Sequence, residues 1–392
     1  MTQHNHCTEC GRETYYAGLC DHCKRRKRCH ECGSTIYYNG LCHNCKERKK
    51  REACQSMSKA EVDAKIEEII TELDDTFDDK EAYYDFWRLL AYHNISTAKI
   101  AEAAIRAGVF FPSELYRDAD SNVRKQLISL LMEPDCATAF CILHCLADTY
   151  SDDVLAVFKE LDAHPLPWSK TLHIPLLDYT HASGWAINQH GNRIELIFRE
   201  CYPVFRVADG NDTDTAVSVA TLRGDRCSRC DSLLIDLLTI DGNDERLAFL
   251  NLPGVIRIPV CPVCVTLCEP YIIRYTLDGD SVIDPGKPFR DSEKILDSEY
   301  AEWTPRRFAL AKKQESLYFA NGNDESIITI GGFANWVQGY QFDTCPDCGK
   351  TMRYFASVPW EAWEASEAWL EGTLYLEICT DCQVISVFHQ QT

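Results

Sequence analysis

The chain lacks any apolar run approaching the roughly 18 residues that cross a bilayer. Its opening residues, Met1-Thr2-Gln3-His4-Asn5-His6-Cys7, hold no apolar stretch of the kind that directs secretion. These absences lead to the expectation of a cytoplasmic protein without a membrane partner. Catalytic signatures are missing too. The sequence contains no G-x-S-x-G, no H-E-x-x-H, no Walker-type phosphate loop and no G-x-G-x-x-G, and its twelve histidines are scattered. A non-enzymatic role is expected. The composition of a disordered chain is also absent: 45% of residues are hydrophobic and 26% charged, as in ordinary globular proteins. At 392 residues, two or three domains are expected.

Cysteine is abundant, with 22 in the chain. In a reducing compartment, paired cysteines read as metal ligands before they read as disulfides. Residues 7–28 and 29–50 form a tandem repeat, CTECGRETYYAGLCDHCKRRKR and CHECGSTIYYNGLCHNCKERKK, identical at thirteen of 22 positions. Each copy carries C-x2-C-x9-C-x2-C: Cys7, Cys10, Cys20 and Cys23, then Cys29, Cys32, Cys42 and Cys45. Tetrahedral zinc takes four thiolates at about 2.3 Å, and two C-x-x-C turns supply them from two short loops. A module this small buries too little apolar surface to fold unaided, so a metal has to stabilise it.

A second pair of sets is spread wider. Cys227, Cys230, Cys261 and Cys264 form C-x2-C-x30-C-x2-C, and Cys345, Cys348, Cys379 and Cys382 repeat that spacing 118 residues later. Within the loops, Gly254 aligns with Gly372, and Ile256-Arg257-Ile258-Pro259-Val260 with Leu374-Tyr375-Leu376-Glu377-Ile378. The pattern predicts a duplicated unit in which a metal clips both ends of a β excursion, about four zinc ions per chain in all. Cys54, Cys136, Cys141, Cys145, Cys201 and Cys268 are left over. Three of them sit with His144 in or beside the apolar run Ala137 to Ala147, where cysteine behaves as a small core residue.

Between the cysteine sets the pattern turns helical. Ser58-x-x-Glu61 reads as a capping box before Val62, Ile66, Ile69 and Leu73 at helical spacing. Further amphipathic segments lie near 80–91, 97–107, 121–132, 135–148 and 152–162. Short connections predict antiparallel hairpins stacked in a HEAT-like manner. From about residue 184, β-branched and aromatic residues dominate, with a β pair over 192–207 interrupted by Pro203. The expected fold is multidomain α+β: knuckles over 1–52, a helical domain over 57–207, and a β-rich, zinc-clipped domain over 215–392.

Residues 331–338, Gly-Gly-Phe-Ala-Asn-Trp-Val-Gln, followed by Cys345-Pro346-Asp347-Cys348-Gly349, resemble the signature of the YwqG-like family of bacterial proteins across roughly 215–392. Such proteins are often encoded near polymorphic toxins, and some are regarded as immunity proteins. The resemblance therefore implies a protein that binds and neutralises a cognate toxin. The residues themselves also allow the octet to be a turn with a core anchor at Trp336.

Charge points the same way. Residues 1–51 carry eleven basic and five acidic residues, and the remainder 29 against 55, a balance of −26. Such a body repels phosphates and suits a basic partner. Its densest acidic stretch holds Glu72, Asp74, Asp75, Asp78, Asp79 and Glu81; a solvated helix end is the plainer reading. The alternative partner is nucleic acid, met by the basic knuckles with Tyr15, Tyr16, Tyr37 and Tyr38 as stacking surfaces; packing of those tyrosines into the knuckle cores is the competing expectation.

Overall fold

The computed structural model of the chain describes residues 5–8, 13–14, 18–207, 214–267, 271–285, 306–322, 326–363 and 371–391. It divides into two compact units, Met1–Ala53 and Cys54–Thr392. In the first, each repeat is a two-strand hairpin followed by a helix. Strands β1 (Asn5–His6) and β2 (Glu13–Thr14) precede α1 (Asp21–Arg25); β3 (Lys27–Arg28) and β4 (Thr35–Ile36) precede α2 (His43–Gln55). Ile36 is buried, whereas Tyr37 and Tyr38 are 49% and 45% exposed. The expectation that this tyrosine pair fills the knuckle core is thereby corrected: Ile36 and the cysteines fill it. Tyr15 and Tyr16 lie outside the described residues.

The larger unit opens with helices α3 (Lys59–Thr71), α4 (Glu81–His93), α5 (Ala98–Ala107), α6 (Ser121–Leu131), α7 (Ala139–Asp148) and α8 (Asp152–Ala163). Ser58 and Glu61 close the capping box reciprocally, Ser58 N donating to Glu61 at 2.7 Å. Helix α3 packs on α4 and α5, α5 on α6, and α6 on α7. The helices bury Phe86, Leu90, Leu127 and Phe158 in one cluster with Trp185, Tyr354, Tyr375 and Phe388. Trp185 lies in β5 (Trp185–Ile187), which pairs with β6 (Arg193–Glu195). Its indole donates to Ala147 O at 3.0 Å, tying that ribbon to the end of α7.

The remaining strands are β7 (Cys201–Val207), β8 (Val217–Arg226), β9 (Leu233–Asp241), β10 (Val255–Val260), β11 (Tyr271–Tyr275), β12 (Ser281–Ile283), β13 (Arg307–Leu310), β14 (Ile328–Gly331), β15 (Arg353–Pro359), β16 (Thr373–Cys379) and β17 (Val384–Gln390). They form an eight-stranded antiparallel sheet in the order β12-β11-β17-β16-β15-β14-β7-β13 and a three-stranded sheet in the order β10-β9-β8. Alternation along β16 explains the layering. Tyr375 joins the cluster under the helices, while Leu374, Leu376 and Ile378 join a second cluster with Ile235, Leu237 and Ile258 of the small sheet. Both faces of the large sheet are thus covered.

Two expectations change here. The strand over 201–207 runs through Pro203, which lies opposite Thr329 on one side. On its other flank it faces Ala311, one residue past the end of β13, where only its carbonyl is needed: Ala311 N donates to Pro203 O at 2.8 Å. A boundary between a helical domain over 57–207 and a β-rich one over 215–392 is not how the chain divides: β7 is an interior strand of the large sheet, and residues 54–392 form one unit. No described helix is long and apolar enough to cross a membrane.

Candidate metal centres

Within the larger unit, two stretches have the same plan. Strand β8, a C-x-x-C turn, β9, β10 and a second C-x-x-C turn are matched by β14, a C-x-x-C turn, β15, β16 and a second C-x-x-C turn. In both, two antiparallel strands leave and return to the same four cysteines. Gly254 and Gly372, both at positive φ, lead into the returning strands. The strands that follow differ in pairing: β17 lies beside β16, whereas β11 leaves the small sheet and pairs with β17.

Three four-cysteine groups bring their sulfurs within 4.8 Å of one another: Cys29, Cys32, Cys42 and Cys45; Cys227, Cys230, Cys261 and Cys264; and Cys345, Cys348, Cys379 and Cys382. Cys7, Cys20 and Cys23 form a fourth group, and Cys10, its expected fourth member, lies outside the described residues. The sulfurs stand 3.5 Å apart for Cys32–Cys42, 3.4 Å for Cys230–Cys261, and 3.7 Å for both Cys227–Cys264 and Cys348–Cys379. A disulfide needs about 2.05 Å. A thiolate tetrahedron with bonds of about 2.3 Å has edges of about 3.8 Å. The spacing therefore fits a metal and excludes bonded sulfurs.

The turns are built alike. In the first C-x-x-C of each complete group, the leading cysteine carbonyl accepts from the amide four residues on: Gly33 N to Cys29 O at 3.0 Å, Asp231 N to Cys227 O at 2.8 Å, Gly349 N to Cys345 O at 3.0 Å. The residue at that fourth position is left-handed each time, with φ of 72°, 63° and 70°. Further amides point at sulfur: Cys42 N to Cys29 at 3.2 Å, Arg229 N to Cys227 at 3.4 Å, and Cys20 N to Cys7 at 3.3 Å. Such donors favour thiolate over thiol. Burial resists ionisation of Cys29, yet the amides of Cys32, Cys42 and Glu31 outweigh it and pull the thiol down to about 5. In the small knuckle the Arg48 guanidinium also reaches Cys45 at 3.4 Å and so adds positive charge beside the thiolates.

Among the described residues each complete group offers four cysteine ligands and no fifth, the donor set of a structural rather than a hydrolytic zinc site. The leftover cysteines stand apart. Cys145 is buried and donates to Phe110 O at 3.3 Å; Cys54 is buried in the apolar cluster of the helices, and Cys201 is buried. His144 lies 4.9 Å from the Tyr179 ring. Cys268 lies outside the described residues.

The octet at 331–338 is a folding element. Gly331 (φ 72°) packs so closely that a Cβ would stand 2.0 Å from Glu200 O, and one at Gly332 would stand 2.8 Å from Leu317 O. Trp336 is partly buried between Tyr375 and Phe388, with ring centroids 4.5 and 6.1 Å away.

Among known proteins, the chain is similar to the uncharacterized protein YpfL of Salmonella typhimurium, 27% identical over 286 residues. That match covers 71% of this chain and 64% of YpfL, so the chain spans less than two thirds of its relative's length. No family model matches, and no solved structure matches.

Proposed function

We propose that this protein is a zinc-held binding scaffold of the immunity type, acting in the cytoplasm by capturing a basic protein toxin rather than by chemistry. The observation that carries the scaffold reading is the four-thiolate grouping: soft sulfurs at tetrahedral spacing suit zinc and, with all four positions filled, leave none for a substrate or reactive water. Support for the partner comes from charge and shape. The helical layer, which we read as HEAT-like stacked hairpins, presents Asp75, Asp78 and Asp79 exposed at the turn before α4. Asp74 in the same turn is already engaged, its carboxylate 2.6 Å from Lys80. The test is co-expression with the neighbouring gene products. Protection from a toxic neighbour is expected, weakened at least tenfold by reversing Asp75, Asp78 and Asp79 to lysine, with zinc content unchanged. Absence of any complex or protection contradicts the reading.

A second reading is favoured by the exposure of Tyr37 and Tyr38, over which Lys46 sits 4.7 Å from the Tyr38 centroid. In that reading the knuckles stack single-stranded nucleic acid. Against it, the cations of α2 are partly spent on acids of the same unit: Arg48 and Lys49 lie 3.0 and 3.5 Å from Glu31, and Lys50 lies 2.7 Å from Glu47. Salt-dependent binding of an oligonucleotide would favour it over the toxin reading.

A further inference from the structure

One strand of the larger unit serves two of its cysteine sets. Along β11, successive side chains point to opposite faces. Tyr271, Ile273 and Tyr275 join the apolar cluster that holds Cys227, Cys261 and Cys264. Ile272, 7% exposed, joins instead the small cluster of Cys345, Cys379, Met352 and Val384. Tyr271 is fully buried, and its hydroxyl accepts from the amide of Cys261 at 2.8 Å. On the other side the strand is fixed by β17, with Arg274 opposite Val384, two residues past Cys382.

Polar contacts repeat the arrangement. In each set, a residue between the two leading cysteines reaches the β11–β12 hairpin or the two residues that follow it. Arg229, between Cys227 and Cys230, donates to Asp284 O at 3.0 Å and to Pro285 O at 3.2 Å. Asp347, between Cys345 and Cys348, accepts the Arg274 guanidinium on both oxygens, at 2.7 and 3.1 Å. The same guanidinium donates through Nε to the Asp284 carboxylate at 3.0 Å. Arg229, Asp284, Arg274 and Asp347 thus form a continuous chain from one C-x-x-C turn to the other. Its ion pairs are about a third or more exposed, and such a pair is worth no more than about fivefold in an equilibrium constant. The buried contacts of Tyr271 and Ile272 add to that, because opening either turn uncovers one face of β11.

We propose that the 227–264 and 345–382 sets bind zinc cooperatively, through a β11–β12 hairpin that docks on both. Filling one set fixes its turn, which seats the hairpin and so pre-forms part of the surroundings of the other. The hairpin is the element whose docking both sets bias, as coupling between separate sites requires. Such coupling typically amounts to about 5–150-fold in affinity. The inference rests on the cysteine sets being metal centres and goes beyond that reading. The larger unit is held by both ions or loosened with neither over a narrow range of free zinc.

The full chain is equilibrated in zinc buffers set by a chelator of known affinity. A short pulse of N-ethylmaleimide, followed by peptide mass spectrometry, then reads which cysteine sets are metal-free. Cys230→Ser is expected to lower the zinc affinity of the 345–382 set at least tenfold. Cys348→Ser should lower that of the 227–264 set by the same factor, since linkage is reciprocal. Asp347→Ala removes the carboxylate that Arg274 holds and leaves every cysteine in place. It is expected to weaken the 227–264 set at least threefold, and it decides the matter if a cysteine variant fails to fold. Changes below about twofold, or an unaltered 227–264 set in Asp347→Ala, overturn the coupling. Equal weakening by Cys42→Ser, in the first unit, also overturns it in favour of a general loss of stability. A parent chain that takes up no zinc sinks the metal reading and the coupling together, whereas independent filling of the two sets sinks the coupling alone.

Discussion

Asp231 takes the left-handed conformation that Gly33 and Gly349 take in the matching turns, with φ of 63° against 72° and 70°. Asparagine and aspartate tolerate this region better than other side-chain-bearing residues, so the turn after Cys230 forms without glycine. The residue scale also carries a pH prediction. Glu114 is raised to about 8 by desolvation and by Asp148, while an unfolded glutamate titrates near 4.3. The folded chain thus holds more protons than the unfolded chain between those values. Stability from this group is complete below about pH 4 and is lost as pH rises through about 8, at up to about 1.4 kcal/mol per unit. Thermal midpoints should fall from pH 5 to pH 8, and Glu114→Gln should flatten that slope. An unchanged slope in the variant would place the effect elsewhere.

At the scale of elements, much was legible because the signals are local. The capping box and the 3.6-residue apolar periodicity predict α3 to α8 within a few residues, although α7 begins at Ala139 rather than near 135. Equal 30-residue loops between cysteine pairs pointed to clipped β excursions, and β9–β10 and β15–β16 are those excursions. Long-range pairing was not legible. Nothing near residue 201 announces that β7 lies between β13 and β14 from a hundred residues later, since strand partners are chosen by the whole sheet. The 3-10 segments Pro167–Thr171 and Leu176–Ser183 also lack a periodic signature. The two kinds of metal set should differ in reach. Cys20→Ser should loosen one repeat and leave 54–392 protease-resistant. Cys261→Ser, at a fully buried position whose amide donates to the Tyr271 hydroxyl at 2.8 Å, should cost more than about 3 kcal/mol and expose the larger unit to cleavage. Equal resistance of both variants would deny the metals a structural role.

At the scale of the whole molecule, charge and metal divide the labour. The net charge of −20 combines a basic first fifty residues with a strongly acidic remainder, so association with a basic partner should slow as salt rises, screening acting within about 8 Å at 0.15 M. On the proposed reading, four thiolate centres stabilise this fold. Three four-cysteine groups are complete among the described residues, and Cys10, the expected fourth member of the first set, lies outside them. Native mass spectrometry with elemental analysis, on protein purified without added metal, tests that claim most directly. About four zinc ions per chain are expected, falling by one in Cys20→Ser and by one in Cys261→Ser. A chain that carries no metal, or iron in place of zinc, would contradict it.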